Sequence, residues 1–249
     1  MLKTLGIIDA CYGSCDCRSK AARKMGGKPV LEWVIRRATD CQQLDGVIVV
    51  TTGVPENRFL SKLVPLDVPL FAGPQPDALG CLAAALEEYP AKAVVRISAR
   101  SPFIDPVLID RLVSTAETPP KCDYVGYGSR DGRPAILSPV GVYAEWFRAS
   151  ALRRAQRQAT SAPDRREPTR YLYRQPKAFR VRWVPAPQEI DRDDVRLTVD
   201  IEEDWEHALV IFDALGPDEL DWQRIADLLV HQPALRKRMA VLNRAHAKG

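Results

Sequence analysis

The sequence predicts an α/β fold with a doubly wound, mostly parallel sheet, and three observations support this fold class. Short apolar runs alternate with segments in which apolar residues recur every three or four positions. The run 46–51 is almost entirely apolar, as in parallel strands that are covered on both faces. With 249 residues and a hydrophobic content of 46%, the chain can bury one large core. We therefore predict a single domain over 1–249.

Regular alternation of strands and helices fills the first half of the chain. Strands are predicted at 5–8, 46–51, 68–71 and 93–97, and helices at 28–38, 55–63, 77–89 and 106–117. A long polar loop, 9–27, separates the first strand from the first helix. The helix from 106 has the clearest start, because Asp105 is a favoured N-cap and Pro106 suits the first helical position. Such β-α alternation is typical of a parallel sheet with crossover helices.

The second half of the chain departs from this pattern. Strands are predicted at 122–128, 135–144, 179–184 and 195–200, and helices at 146–158, from Asp204, and at 221–230, before a basic tail over 233–249. We expect some of these strands to be antiparallel. We interpret 129–185 as a small excursion from the main sheet.

Length, composition and charge limit the classes of protein to which this chain can belong. No run of about 18 apolar residues occurs, and the N-terminus leads directly into a strand, so we expect a cytoplasmic protein without membrane insertion. The net charge of +4 comes largely from an arginine-rich region over 148–182. In the predicted helix at 146–158 the basic residues are not interleaved with aromatic residues, and no known nucleic-acid module occurs, so we expect no nucleic-acid partner. The six cysteines are expected to be thiols.

The first candidate site is the polar turn that follows the strand at 93–97. In open α/β sheets, ligands bind beyond the carboxyl ends of the strands, and Ser98 begins the turn there. A second candidate is the loop after the first strand. Gly13 and Ser14 can present backbone N–H groups closely, and Lys20 and Arg18 can supply charge to phosphate. A polar loop without a ligand is the alternative.

The same loop carries three closely spaced cysteines. Cys11, Cys15 and Cys17 lack an obvious fourth partner for a structural zinc site, and the three histidines are remote in sequence. We interpret the three as ordinary small loop residues. A metal site and a reactive thiol remain alternatives.

Several segments resemble the sugar cytidylyltransferases, in particular their spore-coat-polysaccharide branch, which is similar to the CMP-acylneuraminate and CMP-KDO synthetases. Residues 95–106, VRISARSPFIDP, resemble VRITGDCPLIDP. Residues 7–20 and 26–32 resemble IIQARMGSTRLPGK and GGKPLLE, and 196–204, RLTVDIEED, resembles RLTVDTPED. Asp77 begins DALG, which resembles DVLG, a helix start near the nucleotide base. The resemblance covers most of the chain and is weakest over 120–165.

The resemblance implies a nucleotidyltransferase fold of Rossmann-like or glycosyltransferase-A-like type. It implies transfer of CMP from CTP, or from another nucleotide, to a sugar or sugar acid in polysaccharide biosynthesis. It also implies a homodimer, formed through 129–185, which would make one side of the sugar site. With this resemblance, Ala10, Gly13, Ser14, Lys20, Asp77 and Ser98 are predicted to bind the nucleotide. The candidate catalytic residues are Lys20, Arg18 and Arg100.

The resemblance also implies magnesium, with Asp200 as a ligand at the end of a strand. An alternative is that Asp200 or a neighbour caps the following helix. The family's second metal-binding aspartate corresponds to Arg100 here. Arg100 either pairs with Asp200 and fills the metal's place, or contacts phosphate directly. The first alternative predicts a non-catalytic nucleotide- or sugar-binding relative, or a subunit of a glycan-assembly complex.

Three other positions depart from the family pattern. Residues 165–173, RREPTRYLY, resemble REHVTPYIY, and Glu167 stands where the family has His. The family's two loop arginines correspond to Cys11 and Asp16. We expect the arginines of 165–173 to be exposed to solvent. Contact with an acidic sugar or with a partner subunit is the alternative.

Overall fold

The computed structural model describes residues 1–11, 15–73 and 77–246, except for the side chains of 15–17. The strands are β1 (Leu2–Asp9), β2 (Lys24–Met25), β3 (Lys28–Pro29), β4 (Gly46–Thr52), β5 (Leu70–Gly73), β6 (Ala91–Ser98), β7 (Tyr124–Gly128), β8 (Glu145–Arg148) and β9 (Val181–Pro185). The α-helices are α1 (Cys15–Ala21), α2 (Val30–Thr39), α3 (Ala78–Glu88), α4 (Pro106–Glu117), α5 (Ala149–Gln158), α6 (Ala162–Arg166), α7 (Arg170–Arg174), α8 (Glu202–Leu215), α9 (Trp222–Val230) and α10 (Pro233–His246). Two 3-10 helices lie at Pro55–Lys62 and Ala135–Leu137.

Seven strands form one sheet in the order β5-β4-β1-β6-β8-β7-β9. β8 is antiparallel to both of its neighbours, whereas the other pairings in this sheet are parallel. β2 and β3 form a separate antiparallel hairpin. The predicted doubly wound, mostly parallel sheet is confirmed. β8 and β9, which come from 129–185, extend this sheet.

Helices cover both faces of the sheet, and the sheet divides the apolar core into two clusters. Val49 of β4 packs in one cluster with Leu31 of α2 and Leu108 of α4. Val50, the next residue of β4, packs in the other with Leu82 of α3. Successive side chains of a strand point to opposite faces, so both faces of β4 are buried, as its apolar sequence predicts.

The predicted start of the helix from 106 is confirmed. Asp105 is the N-cap, and its Oδ1 accepts the N–H of Leu108 at 3.0 Å. Its Oδ2 accepts the N–H of Trp222 at 3.0 Å, which ties α9 to α4. Substituting such a cap costs about 1 kcal/mol.

The strand predicted at 135–144 is wrong. A 3-10 helix opens this segment and irregular chain follows it. Gly141 has a φ of +71°, a left-handed conformation that interrupts a strand, and Pro139 has no N–H to donate to a ladder.

The strand predicted at 195–200 is also wrong, because its backbone bonds to two loops instead of to a strand. The N–H of Leu197 donates to the carbonyl of Pro139 at 2.7 Å, and the N–H of Val199 donates to that of Arg100 at 2.8 Å. Its alternating apolar residues, Val195, Leu197 and Val199, are buried, and such a pattern does not distinguish a strand from an extended buried loop.

Several element boundaries also differ from those predicted. The helix predicted from 146 begins at Ala149, because Trp146 pairs with β6 and β7 as part of β8. The polar loop at 9–27 contains α1 and the β2–β3 turn, where Gly26 and Gly27 have φ of +53° and +80°. The basic tail forms α10. Among the helices the structure describes, none is long and apolar enough to cross a membrane.

Candidate functional site

The carboxyl ends of β1 and β6 lie side by side at the point where the strand order reverses. β1 pairs with β4 on one side and with β6 on the other, and Asp9 is level with Ser98. Such a switch point is the expected ligand site of an open α/β sheet. Ala10 is fully buried there. Its N–H donates to Val50 at 2.8 Å and its carbonyl accepts from the Thr51 hydroxyl at 2.9 Å, so Ala10 fixes the start of the loop.

Arg100 and Asp200 meet beyond this edge. Nη1 of Arg100 lies 2.7 Å from Oδ1 of Asp200, with 45% and 21% of the two side chains exposed. The backbone holds the two segments together through the bond from Val199 to the carbonyl of Arg100. The N–H of Arg100 also donates to Oγ of Ser98 at 3.3 Å. The predicted pairing of Arg100 with Asp200 is therefore present. Hydrogen bonds with Val199 and Ser98 hold the backbone of Arg100 in place.

A buried pair beneath Asp200 organises the start of α8. Nη2 of Arg196 donates to Oδ2 of Asp204 at 2.9 Å, and both side chains are at most 5% exposed. The same Asp204 oxygen accepts the N–H groups of Asp200 and Ile201 at 3.0 and 3.2 Å. Asp204, a neighbour of Asp200, therefore satisfies the N–H groups at the helix start. The side chain of Asp200 remains directed to Arg100 and to the hydroxyl of Thr198, which donates to it at 3.1 Å.

Lys20 of α1 is joined to the same end of α8. Its side chain is 10% exposed, and Nζ lies 2.7 Å from Oε2 of Glu202. Nη2 of Arg23 lies 2.7 Å from that oxygen. The hydrogen bond from Lys20, aided by Arg23, lowers the pKa of Glu202. Two cations thus share one carboxylate two residues after Asp200. Arg18 is half-buried on α1, whereas the predicted residues Gly13 and Ser14 lie outside the described residues.

Asp77 caps α3 and holds a residue of the excursion. Its Oδ1 accepts the N–H of Gly80 at 2.8 Å, as a capping aspartate does. Its Oδ2 accepts from Nη2 of Arg165 at 2.8 Å. Asp77 therefore fixes the position of α6 relative to α3.

Cys11 has the environment of an unreactive thiol. Its hydrogen bond with Cys81 and its burial raise its pKa well above the usual value, so the thiolate is suppressed. Among the described residues, no three His, Cys, Asp or Glu side chains are grouped as metal ligands. The side chains of Cys15 and Cys17 lie outside the described part.

A cavity of about 540 Å³ opens at Ser98, Arg100 and Asp200. Three further segments form its wall, namely 129–140, 191–193 and the end of α10. Six arginines and four aspartates line it, which leaves an excess of positive charge. The lining arginines are Arg100, Arg130, Arg133, Arg192, Arg196 and Arg244. The resemblance assigns one side of the sugar site to 129–185, but sequence reasoning missed 191–193 and the end of α10, because these residues lie in a loop and in the basic tail without a motif.

Ion pairs within the wall fix its charges. Arg130 lies 3.2 Å from Asp193, and Arg133 lies 2.5 Å from Asp131. Desolvation alone would raise the pKa of Asp131, but hydrogen bonds from Ser129 and Arg133 outweigh it and lower the pKa to about 2. The carboxylate therefore stays ionised in the cavity at neutral pH.

Two contacts hold the wall against the rest of the site. Nδ2 of Asn243, on α10, donates to the carbonyls of Asp193 and Val195 at 2.8 and 3.0 Å. On the opposite side, a Cβ at Gly141 would lie 2.9 Å from the backbone nitrogen of Thr198. The loop at 139–141 can approach the segment before Asp200 this closely only because Gly141 has no side chain.

The chemistry around Asp200 does not fit a divalent cation of the magnesium type. Such ions require several oxygen ligands. Here the guanidinium of Arg100 contacts Asp200, and Nη2 of Arg196 lies 3.8 Å from its other oxygen. A metal beside Asp200 would face two fixed positive charges.

Acidic side chains surround the buried Arg96. This residue belongs to β6 and lies four positions before Arg100 in the chain. Its guanidinium contacts Asp9 at 3.1 Å, Glu145 at 2.5 Å and Glu167 at 2.7 Å. The Glu145 contact is an ion pair outside hydrogen-bond geometry. Glu145 also accepts from the hydroxyls of Tyr124 and Thr169 at 2.7 and 2.8 Å. Sequence reasoning missed this network, although Glu167 was singled out as a departure from the family pattern.

Comparison with known proteins agrees with this geometry. The sequence profile of the cytidylyltransferase family matches residues 5–224. The chain belongs to this family. The match covers most of β1, all of β6 and the Arg100–Asp200 pair, so the edge of the sheet described above lies within it.

Relatives align over nearly the whole chain. An uncharacterized protein of Methanocaldococcus jannaschii is 29% identical over 94% of this chain and 93% of its own. The spore coat polysaccharide biosynthesis protein SpsF of Bacillus subtilis is 23% identical over 85% of this chain and 87% of its own. The structure of a cytidylyltransferase from Leptospira borgpetersenii superposes with a TM-score of 0.83, at 20% identity, over 94% of this chain and 97% of that one. The last comparison supports the fold.

The structure thus brings some of the predicted residues together and separates others. Ser98, Arg100 and Asp200 share one cavity. Lys20 reaches the same end of α8 through Glu202. The cavity lining does not include Ala10, Arg18 or Asp77.

Proposed function

We propose that this protein transfers CMP from CTP to a sugar or sugar acid in the biosynthesis of a cell-surface polysaccharide, with release of pyrophosphate. The observation that carries the proposal is the cavity at the switch point of a cytidylyltransferase fold, with Ser98, Arg100 and Asp200 in its lining. The polysaccharide context rests on the likeness to SpsF.

The composition of the cavity supports a polyhydroxylated, acidic acceptor. Neighbouring arginines and aspartates, such as Arg133 and Asp131, offer the donors and acceptors that sugar hydroxyls need. The excess of arginine favours a carboxylate on the sugar, because the guanidinium group forks onto carboxylate oxygens.

In the proposed reaction, a sugar hydroxyl oxygen attacks the α-phosphorus of CTP in line. The new P–O bond forms as the bond to the bridging oxygen of pyrophosphate breaks, and water takes up the hydroxyl proton. Negative charge builds up on the phosphate oxygens, so fixed cations that are already in place lower the barrier. Lys20, Arg18 and Arg100 are proposed for this role, with Lys20 exchanging Glu202 for phosphate.

The nucleotide is proposed to lie across the ends of β1 and β6. Gly13 and Ser14 would hold its phosphates with Lys20, Ala10 would fix the start of their loop, and Asp77 and Ser98 would position the remainder. The position of Ser98 beside the Arg100 backbone supports its part in this assignment.

The test is pyrophosphate release from CTP, followed with a panel of 3-deoxy-2-ulosonic acids and neutral sugars, with and without Mg²⁺. We expect release that depends on both CTP and one class of acceptor, and a large loss in Lys20→Ala. ATP, GTP and UTP are the controls for the base. The proposal fails if no acceptor supports release and Lys20→Ala changes neither turnover nor CTP binding.

The second candidate function is that of a non-catalytic nucleotide- or sugar-binding relative, acting as a subunit of a glycan-assembly complex. The Arg100–Asp200 pair favours it, because a guanidinium cannot bridge the attacking and leaving oxygens as a divalent ion does. CTP binding without turnover, together with a stable catalytic partner in a pull-down, would support this candidate over the first.

We also propose a homodimer that uses 129–185. Two large apolar side chains of this segment are exposed, Trp183 at 43% and Leu137 at 48%. Scattered exposed apolar residues are common on monomers, so the measurement has to decide. Light scattering should show a dimer for the wild type and a shift toward monomer for Trp183→Ser, while Val230→Ser, which alters an exposed valine elsewhere, should leave the mass unchanged.

A further inference from the structure

The side chain of Arg100 occupies a place where the family pattern would put an acidic metal ligand, and the structure shows how firmly it is held. Its contact with Asp200 is 2.7 Å long. The bond from Val199 to the Arg100 carbonyl aligns the two segments independently of the side chains. Arg100 also lines the cavity, with almost half of its side chain exposed. The pair is therefore a built part of the site, and Arg100 still faces the cavity.

Asp200 has little capacity left for a metal. Oδ1 contacts Arg100, while Oδ2 accepts from Thr198 at 3.1 Å and lies 3.8 Å from Nη2 of Arg196. Arg196 cannot turn away easily, because it is buried and bound to Asp204. Both oxygens of the carboxylate thus face fixed donors, and the nearby charge is positive.

Arg100 has the chemistry that an anionic ligand needs at this position. A guanidinium carries five N–H donors and a permanent charge, and it forks well onto phosphate oxygens. Asp200 binds Nη1 of the guanidinium and so fixes the orientation of this planar group. A phosphate in the cavity would contact a positive charge that belongs to the protein itself, so no metal ion would have to bind first.

We infer that the Arg100 guanidinium, clamped to Asp200, replaces a divalent cation as the fixed positive charge of this site, so that a nucleoside triphosphate binds without a metal at Asp200. The nucleotide part of this inference rests on the proposed function. The metal part does not, since it concerns the affinity of the protein for a cation alone.

The first experiment uses Mn²⁺ alone as the probe and electron paramagnetic resonance as the readout. Wild type should show no saturable Mn²⁺ site that depends on Asp200. Arg100→Asp should gain a single site, because two carboxylates then face each other. The double variant Arg100→Asp/Asp200→Asn should lose that site, and Arg100→Ala, which adds no oxygen ligand, should not gain it.

Mn²⁺ binding to wild type at a single site that disappears in Asp200→Asn would overturn the inference. This comparison needs only the wild type and one conservative variant, so it remains decisive if Arg100→Asp fails to fold. A thermal melt of each variant checks folding.

The second experiment measures CTP binding by calorimetry, in EDTA and in excess Mg²⁺. The affinity of wild type in EDTA should equal or exceed that in Mg²⁺. Arg100→Asp should bind about tenfold or more weakly in EDTA than in Mg²⁺, within the usual range of coupling between two ligands. Wild-type binding that tightens about tenfold with Mg²⁺ would overturn the inference. If CTP binds under neither condition, the proposed function fails, while the Mn²⁺ experiment still decides the metal part.

Discussion

Arg96 and Arg100 are four residues apart, and both contact carboxylates, yet their surroundings differ. Arg96 is 8% exposed and contacts three acids from three distant segments. Arg100 is 45% exposed and contacts Asp200 at the edge of a cavity. In a low-dielectric interior, removing one partner of an ion pair leaves uncompensated charge, whereas solvent compensates at the surface. We infer that Arg96 secures the fold under the site and that Arg100 serves the ligand.

The largest effect is expected from Arg96→Met. The substitution keeps the apolar stem of the side chain but leaves Asp9, Glu145 and Glu167 without their shared cation. We expect the free energy of unfolding to fall by about 3–5 kcal/mol, as for other broken buried pairs. Urea denaturation measures this value. A decrease in the free energy of unfolding smaller than that caused by breaking a surface ion pair would contradict the role assigned to Arg96.

An intermediate, pH-dependent effect is expected from Glu145→Gln. Burial raises the pKa of Glu145, and this outweighs the lowering by Arg96. The folded pKa therefore lies above the unfolded value of about 4.3, so the native state holds the proton more tightly. The stabilising contribution of Glu145 is present below the unfolded value and is lost as the pH rises through the folded pKa.

The cost of Glu145→Gln should therefore be greater near pH 4, below the unfolded value of about 4.3, than near pH 8, because the contribution of Glu145 falls as the pH rises from that value. Denaturation of both proteins at the two pH values measures the difference. A cost that grows with pH would reverse the assigned direction. Glu87→Gln is the control, since Glu87 forms an exposed pair with Arg153.

The smallest effect on stability is expected from Arg100→Ala. Half-exposed ion pairs contribute about 0–1 kcal/mol, so unfolding should hardly change. CTP binding should weaken about tenfold or more, because a charge-assisted hydrogen bond to phosphate contributes roughly 1.5–3 kcal/mol. Unfolding and calorimetric titration of the same variant test both statements. A stability loss close to that of Arg96→Met would remove the distinction between the two arginines.

Sequence reasoning predicted the edge of the sheet better than the cavity beyond it. Strand and helix periodicity, with Asp105 as a cap, fixes where β6 ends and α4 begins, and family resemblance suggested that Arg100 and Asp200 face each other. These features depend on local pattern or on a motif. Periodicity was insufficient at 195–200, where a segment of alternating apolar and polar residues bonds to loops instead of to a strand.

The rest of the site depends on contacts between residues that are far apart in the chain. Arg96 meets Glu145 and Glu167 from 49 and 71 positions away, and no local rule links them. The contact of Asn243 with Asp193 similarly turns the basic tail into a wall of the cavity. Such groups come together only after the sheet and its crossovers have formed.

Gly141 has a consequence for mutational surveys of this protein. A methyl group there would meet the backbone just before Asp200, on a residue whose φ already disfavours side chains. In a deep mutational scan scored by activity, position 141 should tolerate substitution as poorly as a residue that touches substrate. Its intolerance would report the spacing of two backbones, so a map of essential positions would overstate the number of groups that take part in the chemistry.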